Sequence, residues 1–189
     1  MINQPINLLG LAGQTVPVFP LTVLVVDAAD KTQESFAPWR DSRTGLDRAD
    51  SMLSDYLQAS APDVVWLFPP DLRRAAKRAG GMVTEPDRLG LAVLRNPKMK
   101  KVPGGIGAQM RTLMALTGGR FALVPAALGF GHDSTGAIKT RIAFVAVDTR
   151  RDMILWRSYA EGSGATPDAA VAAALTTLVP GPPSDVIIP

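Results

Sequence analysis

A chain of 189 residues, 47% hydrophobic and 20% charged, suits one domain with tails and is too apolar for global disorder. The absence of Cys and the single His exclude thiol catalysis, disulfide frameworks, Cys-rich zinc sites and His-pair metal sites. No apolar run approaches the roughly 18–20 residues of a membrane-spanning helix, and a net charge of +3 is small for a nucleic-acid binder.

Residues 1–14 read as an N-terminal extension. The opening MINQPINLLGLAGQTVPVFP carries no Lys or Arg and lacks the charged start and continuous apolar segment of a signal peptide. The expectation is a cytoplasmic protein, or a periplasmic or outer-membrane-associated one from which a leader was removed. TVPVFPLTVLVVD (15–27) is a strand whose continuous LTVLVV predicts burial on both faces, with Pro17 and Pro20 near its entry. The polar stretch after it is an irregular loop, long enough to be functional or mobile. Leu46, Ala49, Met52, Leu53, Tyr56 and Leu57 fall on one face of a helix over 46–60.

DVVWLF (63–68) is a second short buried strand. The following PPDLRRAAKRAGG has Pro70 at a helix start and Gly80–Gly81 at its end. A mixed linker leads to a helix carrying Ile106, Met110, Leu113 and Met114, closed by Gly118–Gly119. Three β runs follow as an antiparallel meander. TPDAAVAAALTTLV (166–179) is a helix with Thr166 as N-cap, Pro167 at the first position and Asp168 at the positive end of the dipole. The order β-α-β-α-α-β-β-β-α predicts an α/β fold, a single mixed β-sheet of about five strands flanked by helices. The first two strands, joined through a helix, should lie parallel. Residues 15–179 form one domain in this reading, and 180–189 an extended C-terminal tail.

Chemistry is sparse. In VPGGIGAQMRT the residues after the last Gly are Ala108 and Gln109, not the Lys and Ser or Thr of a phosphate-binding loop, so a flexible helix entry is the plainer reading. His132 lies beside Asp133 and Ser134, but adjacent residues on a turn diverge, and these are turn-forming types. Asp47, Asp50 and Asp55 read as a solvated helix face paired with Arg43 and Arg48. Arg73, Arg74, Lys77 and Arg78 share the exposed side of one helix and can meet an anionic partner, although no aromatics interleave for base stacking. Trp66 is core, and Trp156 packs under a helix. Trp39, in the long loop, is either a partner anchor or a lid folded back over the helices. The tip between Ala143–Asp148 and the strand bearing Trp156 is Arg- and Asp-rich and reads as a structural corner. No catalytic, metal-ligating or cofactor-binding set emerges.

The runs VLVVD, LSDYLQ, VVWLFPPDLRRA, LMALTGGRFALVPAAL, AFVAVDTRRDMILWRS and TPDAAVAAAL follow one another in a way that resembles a group of bacterial envelope lipoproteins. The group includes the penicillin-binding-protein activator LpoB, the Pel polysaccharide protein PelC, the curli secretion protein CsgG and the TolB amino-terminal domain. Leu113–Val124 and Ala143–Trp156 carry the likeness most clearly. The resemblance implies an anticodon-binding-domain-like fold and a role in assembly, secretion or enzyme activation. No lipobox Cys is present, and the turn after Asp148 holds Arg where many members have Gly. The resemblance supplies no functional residues.

Together these readings predict a non-catalytic binding or assembly module of the cell envelope. It would act by protein–protein interaction through Trp39, Arg73, Arg74, Lys77 and Arg78, without cofactors. A protein partner is expected, with an anionic polymer or membrane surface as an alternative; nucleic acid is disfavoured, and a homo-oligomer stays open. The competing readings are an enzyme with a dispersed hydrolase-like site and an RNA-binding domain using the basic helix.

Overall fold

The computed structural model describes residues 5–6 and 9–179; the tail reading for 180–189 lies outside them. The ten regular elements are β1 (Thr15–Pro17), β2 (Leu24–Val25), α1 (Ser42–Ser60), β3 (Val65–Leu67), α2 (Pro69–Arg78), α3 (Gly104–Thr117), β4 (Phe121–His132), β5 (Ile138–Asp148), β6 (Met153–Gly164) and α4 (Pro167–Leu175). Strands β2-β4-β5-β6 form a mixed sheet, and β1 pairs in parallel with β3. A parallel bridge between Val18 and Leu123 joins the two. The meander is antiparallel throughout, with Ala143 opposite Tyr159 and Val145 opposite Val124.

The run 15–27 is not one unbroken strand. Val18 faces Leu123 and Leu24 faces Leu128, so this chain has one more residue than its partner over the same span. Pro20 has no N–H to give the ladder, and the surplus falls in the stretch between Val18 and Leu24, which lies outside the strands. Within that stretch the Leu21 N–H is directed out of the sheet toward Asp50 on α1.

Strands β4 and β5 are buried on both faces, which is why they read as continuous apolar runs. Leu123, Leu128, Ile142 and Phe144 pack beneath α1 and α4, with Leu53, Leu57, Val171 and Leu175. Val124, Val145 and Val147 pack on the opposite side, with Leu72, Leu94, Met110 and Leu113 from α2, α3 and the segment between them. The contact between α4 and β6 is especially close. A Cβ at Gly162 or Gly164 would run into the α4 backbone at Ala169, Ala170 and Ala174, so the alanine-rich helix needs both glycines.

Three further segments differ from the sequence expectation. The stretch expected as an irregular loop contains 3-10 helices at Asp30–Thr32 and Glu34–Trp39. Helix α1 starts four residues before the apolar stripe begins, because Asp41 Oδ1 accepts the Thr44 N–H at 2.8 Å and caps it. Ile6, within the expected extension, is buried and donates its N–H to Leu178 O at 2.8 Å. Among the described residues, no helix is long and apolar enough to cross a membrane.

Candidate functional site

Asp47, Asp50, Ser51, Ser54 and Asp55 recur at helical spacing and line one side of a groove along α1. The other wall is the first turn of α2, with Phe68, Pro70, Asp71 and Arg73, and the volume between them is about 510 Å³. A second hollow of about 920 Å³ shares Asp47 and Arg73 and extends past Leu21, Arg43, Leu46, Lys77, Glu85 and Asp87. Helix α2 is set by Phe68 as N-cap, Pro69 and Pro70 in its first positions, and Asp71 accepting the Phe68 N–H at 3.3 Å. Phe68 has no side-chain oxygen to return that bond.

Arg73 crosses the groove from α2. Its Nη2 donates to Asp87 Oδ1 at 2.7 Å and its Nε to Asp87 Oδ2 at 3.0 Å. The same Nη2 is 3.5 Å from both Asp47 Oδ1 and Asp50 Oδ2. The Asp87 hydrogen bonds hold the guanidinium above its ordinary pKa.

Asp50 corrects the solvated-face reading. It is 6% exposed, because Leu21 and the start of α2 cover this part of the polar side of α1. Oδ1 accepts the Leu21 N–H at 2.9 Å. Oδ2 makes no hydrogen bond. Burial pushes the carboxyl up to about 7, overcoming the Leu21 N–H and Arg73, with Asp47 and Asp87 adding to the rise. Sequence reasoning missed this because a helical period marks a polar face without saying which part of it another element covers.

The sequence-selected residues fall in different places. Trp39 is fully buried, donates its indole N–H to Asp168 Oδ1 at 2.9 Å, and meets Phe130 edge-on at 5.0 Å. It has folded back, and no part of it is presented to a partner. Arg73 lies half-buried in the groove. Arg74 is exposed and paired with Asp71 at 3.2 Å. Lys77 is exposed at the groove wall, and Arg78 is exposed beyond it. The basic side of α2 is thus interleaved with acids, and the groove lining carries more carboxyls than cations.

The other candidates resolve into structural roles. The Asp133 carboxylate accepts the Thr135 and Ala137 N–H groups at 2.9 and 3.1 Å and holds the hairpin turn. His132 faces away, its Nε2 3.6 Å from Asp30 Oδ1, and Asp30 is a buried acid that the sequence did not single out. The start of α3 does not present an open phosphate site, since a Cβ at Gly107 would meet the Asp152 carboxylate packed there. The Asp152 carboxylate also pairs with Arg111, and the Asp152 backbone carbonyl accepts the Val102 N–H at 2.9 Å. Asp148 is buried, and Arg120 holds its carboxyl below the usual range. Of the hairpin tip, only Arg150 and Arg151 stand exposed between these anchors. Among the described residues, no cluster of three or more His, Asp or Glu is arranged to hold a metal ion.

No family model matches the sequence, and no curated protein matches it. Similar solved structures include the LpoB C-terminal domain from Salmonella enterica, at 10% identity over 81% of this chain and 84% of that one, with a TM-score of 0.45. A PelC dodecamer from Paraburkholderia phytofirmans is 9% identical over 95% and 94%, with a TM-score of 0.43. The lipoprotein GNA1162 from Neisseria meningitidis is 12% identical over 80% and 81%, with a TM-score of 0.39. LpoB and PelC belong to the group that the sequence resembles. No functional residue is carried across from any of them.

Proposed function

We propose that this chain is a non-catalytic binding or assembly module of the bacterial cell envelope, acting by protein–protein interaction through the groove between α1 and α2. Its class is that of secretion, polysaccharide-export or cell-wall-synthase-activating modules. The envelope setting rests on the sequence resemblance carried by Leu113–Val124 and Ala143–Trp156. The contact surface rests on one observation: an open groove along the α1 face from Ser42 to Asp55, with charged walls fixed by ion pairs and apolar Leu21, Leu46 and Phe68 between them. At about 1.5 Å per residue that face is roughly 20 Å long, enough for several residues of an extended partner segment.

A perturbed carboxyl in a cleft is also what an enzyme offers. Here the nearby hydroxyls are engaged with their own helix, Ser51 Oγ with Asp47 O at 3.0 Å and Ser54 Oγ with Asp50 O at 2.7 Å. The groove lining contains no His to act as a base beside them. Site-specific photo-crosslinking in the native cell tests the proposal. Probes at Ser54 and Arg74 are expected to trap the same protein, while a probe at Thr135 on the distant hairpin traps none of it. Equal trapping from all three positions, or from Thr135 alone, would refute the groove as the contact surface.

A further inference from the structure

Resting on that reading of the groove, we propose that it takes a basic side chain of its partner. A Lys ammonium or Arg guanidinium would sit against Asp50, with Asp47 and Ser54 beside it on the same face of α1. The occupant is a basic segment of another protein.

Charge supports this first. The whole chain carries +3, yet the groove lining sets Asp47, Asp50, Asp55, Asp71, Glu85 and Asp87 against Arg43, Arg73 and Lys77, and acids still outnumber cations when Arg74 and Arg88, paired with Asp71 and Glu85, are counted. The local field therefore favours cations in a molecule that is cationic overall. A second observation marks the seat within the groove. The Asp50 side chain is 7% exposed, and its Oδ2 accepts no hydrogen bond. Burying an acceptor without a hydrogen bond is unfavourable. Arg73 does not satisfy it, because its Nε and Nη2 are directed at Asp87 and its approach to Asp50 stays at 3.5 Å. That oxygen is sealed from solvent with Arg73 beside it, so a donor arriving along the groove would complete it by displacing the Arg73 guanidinium toward Asp87.

The opposite wall argues against an anion. A helix start ordinarily presents free N–H groups to a negative ligand. Pro69 and Pro70 remove the first two of them here, and Asp71 takes the Phe68 N–H. The apolar Phe68, Leu46 and Leu21 suit the aliphatic stem of a long basic side chain. Metal is a poorer fit, since the three acids that converge here do so around the Arg73 guanidinium, and among the described residues no three are placed to hold a metal ion.

Protonation gives an independent readout. Asp50 is faced by Asp47 on its own helix, by Arg73 on α2 and by Asp87 next to Arg73, with Lys77 and Glu85 further along. With its carboxyl pushed up to about 7, a cation binds only the ionised fraction. That fraction rises about tenfold between pH 6 and pH 8.

The test uses the 15N-labelled full chain and an acetylated, amidated hexapeptide of alternating Gly and Arg, with citrulline replacing Arg as the neutral control. Saturable shifts are expected at the Leu21, Asp50 and Ser54 amides and not at Thr135. Affinity should be about tenfold higher at pH 8 than at pH 6, with no binding of the citrulline peptide. Asp50→Asn, which keeps an oxygen for the Leu21 N–H, should weaken binding about tenfold. Asp47→Asn, at a more exposed position, should weaken it about twofold to fourfold and serves if Asp50→Asn does not fold. Unchanged affinity in these variants, unsaturable shifts across all acidic surfaces, or equal binding of the citrulline peptide would overturn the proposal. Concentration-dependent broadening of the groove amides without peptide would overturn it as well, by assigning the groove to a second copy. If groove crosslinks form in the cell while the peptide fails, only this inference falls; if both fail, the reading beneath it falls too.

Discussion

Asp50→Asn tests whether the groove carboxyl is an acid held against its own ionisation. The ordinary pKa of 3.8 is pushed up to about 7, chiefly by burial. The folded state therefore holds the proton more tightly than the unfolded chain does between these values. Stability from this group is full below pH 3.8, and it is lost as pH rises through about 7. At about 1.4 kcal/mol for each pH unit separating the two values, the full loss is about 4 kcal/mol, of which about 2–3 kcal/mol falls between pH 5 and pH 8. Urea unfolding followed by tryptophan fluorescence at pH 5, 6, 7 and 8 measures it. Wild type should lose stability across the series, and Asp50→Asn should stay nearly level and exceed wild type at pH 8. Parallel profiles for the two proteins would refute the reasoning, as would a wild-type profile that is flat or rises.

Trp39→Ala removes a fully buried indole and its bond to Asp168, and should cost about 3–5 kcal/mol in unfolding free energy. Trp39→Phe, which keeps most of the packing, should cost only about 1 kcal/mol. Gly162→Ala forces a methyl into the α4 backbone and should destabilise by about 3 kcal/mol or more. Gly131→Ala, with nothing within 4 Å of the added carbon, should change thermal stability little by comparison. Arg120→Met leaves the buried Asp148 carboxylate without the guanidinium that lowers its pKa. Stability from a carboxyl held low is present at neutral pH and lost as pH falls through its folded pKa, so the variant should melt below wild type at pH 7 and approach it near the acid end of the profile.

The fold was legible where a single element settled its own boundaries. Thr166, Pro167 and Asp168 mark the start of α4 by local capping chemistry. The double-sided burial of β4 and β5 shows in their uninterrupted apolar runs. The parallel pairing of β1 with β3 follows from the helix that must connect them. The groove was only half legible. Arg73, Arg74, Lys77 and Arg78 stood out as a charged stripe on α2, but the acids that neutralise Arg73 come from α1 and from Asp87 after α2, and no local pattern joins them. Trp39 admitted two readings because its loop has no periodicity. The choice was made by Asp168 and Phe130, each more than ninety residues away.

The sequence by itself determined the order and type of the main elements, the mixed sheet and the absence of Cys chemistry, because periodicity, capping and composition act over a few residues. Tertiary structure alone decided that Asp50 is a buried acid whose carboxyl is pushed up by burial and that the basic side of α2 faces carboxylates. It also decided that Gly162 and Gly164 admit α4 onto the sheet. Each of these depends on which distant group excludes water from a side chain or occupies the space beside it, and that is settled only when the elements pack.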